Sequence, residues 1–290
     1  MKNIACLFVN YNNSLLTIKC IASLLDSAND SLLINIVIID NFSSQEEKNI
    51  LIEYCQNRSP KDNIVDIIFL EKNIGYLPAI SHAYISNINY IEKSDYVIIG
   101  NNDLVFDKDF LSVLQHKVFN DDIYVVSPDI INCDNNHQNP QILYRYTGLQ
   151  LLYLDLYHSS YIMACLISVV GKFIKFRGSQ KSKEGYKNSQ YISIGYGACY
   201  ILTRHYIINI GFIPSYLFLM NEENALTDAV LNSNGRIYYD ADLIVHHMEH
   251  TSINLTPKRK MYRIAQESYK ISKKHFNNRY LYDKKIVKNG

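Results

Sequence analysis

Residues 36–44 read Ile36-Val37-Ile38-Ile39-Asp40-Asn41-Phe42-Ser43-Ser44. Four consecutive β-branched residues predict a strand buried on both faces, and the polar run after them ends it and offers Ser43 and Ser44 as helix caps. The same grammar recurs on either side. Strands are expected at 4–9, 65–69 and 96–99 as well as 36–39, with helices at 14–25, 45–55 and 77–91. Each strand runs into a polar cluster: Asn10-Tyr11-Asn12, Asp40-Asn41, Asn73-Ile74-Gly75 and Asn101-Asn102-Asp103. This alternation predicts an α/β protein with a doubly wound, mostly parallel sheet flanked by helices. Right-handed crossovers put the carboxyl ends of such strands on one edge, so the four clusters should meet at one crevice.

Beyond Asp103 the pattern is less regular. A helix is expected at 109–118, a strand at 124–128 and a polar loop at 132–140. The Leu-, Tyr- and Ile-rich stretch 150–170 reads as a helix, either buried or interfacial. Definition returns at 191–202, 211–224 and 236–250. No Gly-x-Gly-x-x-Gly follows the first strand and no Gly-x-x-x-x-Gly-Lys occurs, which counts against a dinucleotide oxidoreductase or a phosphate-loop ATPase. A nucleotidyltransferase would need a basic glycine-rich loop where Asn10-Tyr11-Asn12-Asn13-Ser14 stands.

With 290 residues, 48% of them hydrophobic and 20% charged, the chain can bury one large core. Lys2 before an apolar run suggests a secretory leader for a moment, but Asn10 ends that run too soon. The longest later apolar stretch, 161–170, is about half of what a membrane-spanning helix requires. Six cysteines without a Cys-x-x-Cys pair suggest neither a zinc site nor a disulfide framework. The net charge of +1 hides an asymmetry: residues 258–290 hold eleven Lys/Arg against Glu267 and Asp283, and 172–187 hold six against Glu184. Each such cation near an anionic leaflet contributes roughly 1 kcal/mol, so an anionic membrane surface is a candidate partner; a solvated helix face explains the same charges. No nucleic-acid partner is expected.

Taken in order, Phe8-Val9-Asn10-Tyr11-Asn12, residues 38–44, Asn73-Ile74-Gly75, Asn101-Asn102-Asp103, Gly195-Tyr196-Gly197-Ala198-Cys199, Asn221-Glu222-Glu223 and Val245-His246-His247 resemble family-2 glycosyltransferases, the rhamnosyltransferase-like branch in particular. The resemblance covers residues 4–252. It implies a GT-A fold over 1–252, with a nucleotide-sugar-binding half at 1–120, an acceptor and catalytic half at 121–252, and a basic helical C-terminal extension at 253–290. The implied activity is inverting transfer of a sugar from a UDP- or dTDP-linked donor to a hydroxyl. The acceptor would be a glycan or a polyprenol-linked oligosaccharide, in O-antigen or capsule synthesis at the inner face of the cell membrane.

Residue chemistry agrees with this resemblance. Asp40 can accept hydrogen bonds from a ribose hydroxyl or a pyrimidine N–H, although Asp-Asn-x-Ser-Ser also forms an ordinary helix-entry turn. Asn10, Asn12, Asn73, Gly75, Asn101 and Asn102 are further nucleotide-sugar contacts, Gly75 because it lets backbone approach a ligand closely. Asp103 is expected to hold Mn²⁺ or Mg²⁺ against the donor phosphates. The family's usual Asp-x-Asp is Asn-Asn-Asp here, which leaves one carboxylate and points to partial metal dependence. Strand alternation lets only one of His246 and His247 reach the crevice; motif position selects His246 as the second metal ligand, with Glu249 and His250 as further candidates. Glu223 is placed as the base that takes the acceptor proton, with Glu222 supporting it. A solvated acidic helix start is the alternative. The missing first carboxylate keeps a rival open: a nucleotide-sugar- or glycan-binding relative that has lost turnover.

Overall fold

The computed structural model describes residues 2–57, 64–144, 146–173, 185–248 and 258–275. Its first half follows the expected order: β1 (Lys2–Asn10), α1 (Ser14–Asp26), β2 (Leu32–Asp40), α2 (Gln45–Gln56), β3 (Ile64–Phe69), α3 (Tyr76–Ser86), α4 (Ile88–Ile91) and β4 (Tyr96–Asn101). The second half adds β5 (Leu104–Phe106), α5 (Phe110–His116), β6 (Ile123–Asn132), α6 (Gly148–Tyr157), α7 (Tyr161–Phe173), β7 (Gln190–Ile192), β8 (Cys199–Thr203), α8 (Arg204–Asn209), α9 (Glu222–Asn232), β9 (Arg236–His247) and α10 (Lys258–His275).

The strands form one sheet in the order β3-β2-β1-β4-β8-β6-β9-β5, with β7 beside β9. β1 to β4 are mutually parallel, whereas β8 runs antiparallel to both β4 and β6. Two cores result from the two-residue period of the inner strands. Leu7, Val9, Val37, Ile39, Val97 and Ile99 face α3 and α9, where Ile80, Tyr84, Leu226 and Val230 are buried. The alternate residues Cys6, Phe8, Ile36, Ile38 and Ile98 face α1, α2 and α5 through Ile21, Leu24, Leu51 and Leu111. The buried thiols of Cys6, Cys20 and Cys199 are pushed up by burial and behave as small apolar groups.

Local chemistry sets the helix boundaries. Ser44 caps α2 by accepting from the Glu47 N–H, while the Glu47 carboxylate reaches across to the first N–H of α1 at Ser14, 2.7 Å away. The single helix expected over 77–91 is broken at Asn87, whose side chain donates to the Ala83 carbonyl. The 150–170 stretch likewise forms two helices. Thr147 and Gln150 make a capping box for α6, and Ser160 accepts from the Met163 N–H at the start of α7. The basic helix α10 packs on α9 and α7, and Ser268 Oγ donates to the Leu219 carbonyl over 2.6 Å. Among the described residues no helix is long and apolar enough to cross a membrane.

Candidate active site

The four strand-end clusters do converge, but several of their side chains are spent on one another. Asp40 is fully buried. Its Oδ2 accepts from Asn10 Nδ2 (2.9 Å) and its Oδ1 from the Ser43 N–H (3.0 Å). Asn10, equally buried, also donates toward Ser43 Oγ and accepts from Thr17 Oγ1. These two residues, expected to touch the nucleotide, instead lock the loops that would cradle it. The physical reason is that an unpaired buried carboxylate is costly, so the turn supplies its donors internally. Asn12, exposed and left-handed at φ 51°, accepts from the Ser44 N–H and keeps its loop at the surface.

A second network spans the next two loops. Asn41 donates to Asn73 Oδ1 and to the Gly75 carbonyl, and accepts from the Ile74 N–H. Gly75 sits at φ 94°, and a Cβ there would lie 2.0 Å from the Phe218 carbonyl oxygen. That contact, with the Tyr76 N–H donating to the same oxygen (3.0 Å), lays the segment before α9 over the start of α3. Asn102 donates to Thr17 Oγ1 (2.9 Å), facing back into the first network, whereas the half-buried Asn101 side chain makes no hydrogen bond among the described residues.

β9 returns antiparallel to β5 with Leu104 opposite His247, and the Met248 N–H donates to the Asp103 carbonyl. In this register His247, rather than the expected His246, stands beside Asp103, with Nε2 3.3 Å from Oδ1. His246, the preceding residue of the strand, points to the opposite face of the sheet. His247 Nδ1 lies 3.0 Å from Gln138 Oε1, which orients the ring with Nε2 toward Asp103 Oδ1. Asp103 Oδ1 is buried with no hydrogen-bond partner. A buried carboxylate oxygen without a hydrogen-bond partner, facing an imidazole nitrogen, suits a divalent cation, and the mixed N/O set suits Mn²⁺ better than Mg²⁺. Among the described residues no third His, Cys, Asp or Glu joins them, so phosphate and water would complete the shell. Glu249 and His250 lie outside the described residues.

Glu222 and Glu223 open α9 behind the left-handed Asn221. Burial and the adjacent Glu223 push the Glu222 carboxyl up to about 7, against bonds from its own N–H and that of Met220, the latter 2.6 Å long. Burial also raises Glu223, offset by its own N–H and that of Gly197. The two acids sit against the glycine segment, where a Cβ on Gly197 would come within 2.8 Å of Glu223 Oε1. One residue beyond, the Ala198 carbonyl accepts from the Asn101 N–H (2.9 Å), which ties this segment to the metal-side strand end. Tyr76, the first residue of α3, feels the charge of both groups. Burial raises its phenol, as do the charges of Glu222, Glu223 and Asp103, and its buried hydroxyl has no partner. Sequence reasoning missed Tyr76; an aromatic directly after the Asn-x-Gly turn was its only signal. Glu223 similarly raises Tyr146, which stands just before α6.

A curled α/β sheet of this order, with a carboxylate and a histidine at its edge and an acidic pair across from them, defines the GT-A class of fold. The chain belongs to glycosyl transferase family 2, whose family model matches residues 6–168. GalNAc-T7, crystallised with UDP, GalNAc and Mn²⁺, has the same fold at a TM-score of 0.59 and 14% identity, over 87% of this chain and 45% of that one. S. aureus TarS 1-349 in complex with UDP-GlcNAc gives 0.57 at 13%, over 91% and 64%. The Pyrobaculum calidifontis mannosyltransferase PcManGT, in complex with GDP-Man and Mn²⁺, gives 0.52 at 12%, over 93% and 60%. The chain thus spans about half to two-thirds of these structures, and at such identities the likeness is one of fold. No curated protein matches it by sequence.

Proposed function

We propose that this chain transfers a sugar from a nucleoside-diphosphate donor to a hydroxyl of a glycan or polyprenol-linked oligosaccharide, with inversion at the anomeric carbon. The observation that carries the reading is the joint presence of a buried Asp103 Oδ1 3.3 Å from His247 Nε2 and of two adjacent acids at the start of α9 whose carboxyls burial raises. Glu223 accepts the acceptor's hydroxyl proton as the new oxygen–carbon bond forms and the bond to the diphosphate breaks. Glu222 holds the second charge of the pair and sets when Glu223 is free to act. Asp103 and His247 would hold Mn²⁺ or Mg²⁺, which when bound neutralises the leaving diphosphate. Asn12, Asn73 and Asn101 face the nucleotide, while Asp40, Asn10, Asn41 and Asn102 fix the loops that carry them.

A UDP- or dTDP-linked donor, rhamnose as the sugar, and O-antigen or capsule assembly as the setting rest on the sequence resemblance alone. The known structures of similar fold carry GalNAc, GlcNAc and GDP-mannose by their descriptions. The test is a thermal-shift screen of the full chain with nucleoside-diphosphate sugars, with and without Mn²⁺, followed by nucleoside-diphosphate release with the best donor. Ligand at about a hundredfold above Kd stabilises by roughly 2.7 kcal/mol. A metal-dependent shift with release supports transfer. A shift without release selects the non-catalytic relative, and no shift with any donor overturns both.

A further inference from the structure

Helices α6 and α7 form a hairpin that shows its apolar side to solvent. No residue of α6 is buried. Leu149, Leu152 and Leu156 of α6 are 80%, 54% and 45% exposed, and Ile162, Leu166 and Val169 of α7 are 72%, 55% and 54% exposed. Their spacing of three to four residues places each trio along one stripe of a helix that is apolar over most of its circumference and is left exposed. A cluster of large exposed side chains on this scale marks an interaction surface.

The border of this patch is cationic. α10 carries seven Lys/Arg and one Glu, and its Tyr262, Ser268, Tyr269 and Ser272 turn inward, leaving Lys258, Arg259, Lys260, Arg263 and Lys270 exposed. α10 is bound to the hairpin: Tyr262 donates to the Tyr157 carbonyl, Gln266 to the His158 carbonyl, and both Tyr269 and Lys273 reach Asp155. The Arg259 guanidinium lies 6.0 Å from the centre of the Tyr161 ring, at the first turn of α7. Apolar side chains bordered by fixed cations match the interface of a bilayer with anionic headgroups: acyl boundary for the leucines, phosphates for the lysines.

We propose that the α6–α7 hairpin and α10 together dock this protein peripherally on an anionic lipid surface. Neither element crosses the bilayer; the hairpin lies in its interface. The proposal does not depend on which sugar is moved or whether transfer occurs, because its readout is partitioning. The acidic pair opens α9, the helix on which α10 packs.

The experiment is flotation of the full chain with phosphatidylcholine vesicles, with or without about 30% phosphatidylglycerol, at low and high salt. Each cation near the surface contributes about fivefold to partitioning, and salt weakens this. Binding is expected only with the anionic vesicles and at low salt. Leu152→Glu with Leu166→Glu, and separately Lys258→Glu with Lys260→Glu, should each reduce it tenfold or more. All four positions are exposed, and unchanged melting temperatures establish that the variants fold. Absence of binding to anionic vesicles at low salt overturns the proposal, as does binding that both double variants retain. So does a chain that sediments as a dimer and becomes monomeric on Leu166→Glu, because a second copy would then own the patch.

Discussion

Gly197→Ala is the sharpest probe of the acidic pair, because it moves Glu223 without altering either carboxyl group. Gly197 lies outside the left-handed region, so alanine is admissible for the backbone. The new methyl would nevertheless stand 2.8 Å from Glu223 Oε1, where ordinary contact begins at 3.4 Å, and the carboxylate must retreat by about 0.6 Å. Retreat strains or breaks the bond from the Gly197 N–H, one of two that hold the Glu223 carboxyl down against burial. Bonds of this charged type contribute roughly 1.5–3 kcal/mol. A displaced base then loses about 10–100-fold in kcat, since misplacement by an ångström costs on the order of 10²-fold. KM for the donor should change little, and the alkaline-rising limb of the pH–rate profile should move upward. Nucleoside-diphosphate release, measured across pH with saturating acceptor, reads all three quantities. Adding Glu223→Asp withdraws the carboxylate by one methylene and should restore part of the rate. A folded Gly197→Ala protein with unchanged kcat and pH profile would refute the assignment of Glu223 as the base.

Four other outcomes follow from the site. Calorimetric Mn²⁺ binding in the presence of a nucleoside diphosphate should weaken tenfold or more in Asp103→Asn and in His247→Ala; Gln138→Leu should weaken it too, and His246→Ala should not. Activity should rise with pH through a range above that of an ordinary carboxylate, since burial raises Glu223 and a base must be deprotonated to act. The stability effect has the opposite sign: the raised Glu222 carboxyl binds its proton more tightly in the folded state, so its contribution is complete below the ordinary carboxylate range and lost as pH rises through about 7. Glu222→Gln should therefore flatten the melting temperature between about pH 5 and pH 8. Gly75→Ala, forced to φ 94° with a methyl 2.0 Å from the Phe218 carbonyl, should destabilise by roughly 3 kcal/mol or more in chemical denaturation.

The parallel half of the sheet was readable because its evidence is local. A continuous β-branched run, a polar strand end and helix-capping serines sit together in 36–44, and β2 and α2 fall where those residues put them. What resisted reading depends on partners distant in the chain. Whether His246 or His247 meets Asp103 is decided by the register of β9 on β5, a pairing across more than 140 residues that neither segment announces. Whether Asp40 offers its carboxylate to a ligand depends on whether Asn10 and Ser43 have already claimed it. The apolar 150–170 stretch signalled a helix clearly, but composition cannot say whether apolar side chains face inward or outward, and here they face out.

The middle position of the Asn-Asn-Asp run, Asn102, is held by the loop network and does not face the metal side. Asn102 Nδ2 is directed at Thr17 Oγ1, the Asn13 carbonyl and Asn10 Oδ1, at 2.9, 3.3 and 3.4 Å. Thr17 spends its own proton on Asn10 Oδ1 (2.8 Å), so every group around Asn102 presents a lone pair. An aspartate there would set a carboxylate against three acceptors with no donor to satisfy it, a heavy penalty at a half-buried site. The amide at 102 therefore belongs to the loop network that begins at Asp40, and Asp103 is left as the carboxylate that meets His247. A cation held by one carboxylate and one imidazole keeps more of its charge for the phosphates of a donor than one held by two carboxylates. The same economy ties metal affinity to the donor: the ion should bind weakly to the free protein and tightly once a diphosphate completes its shell.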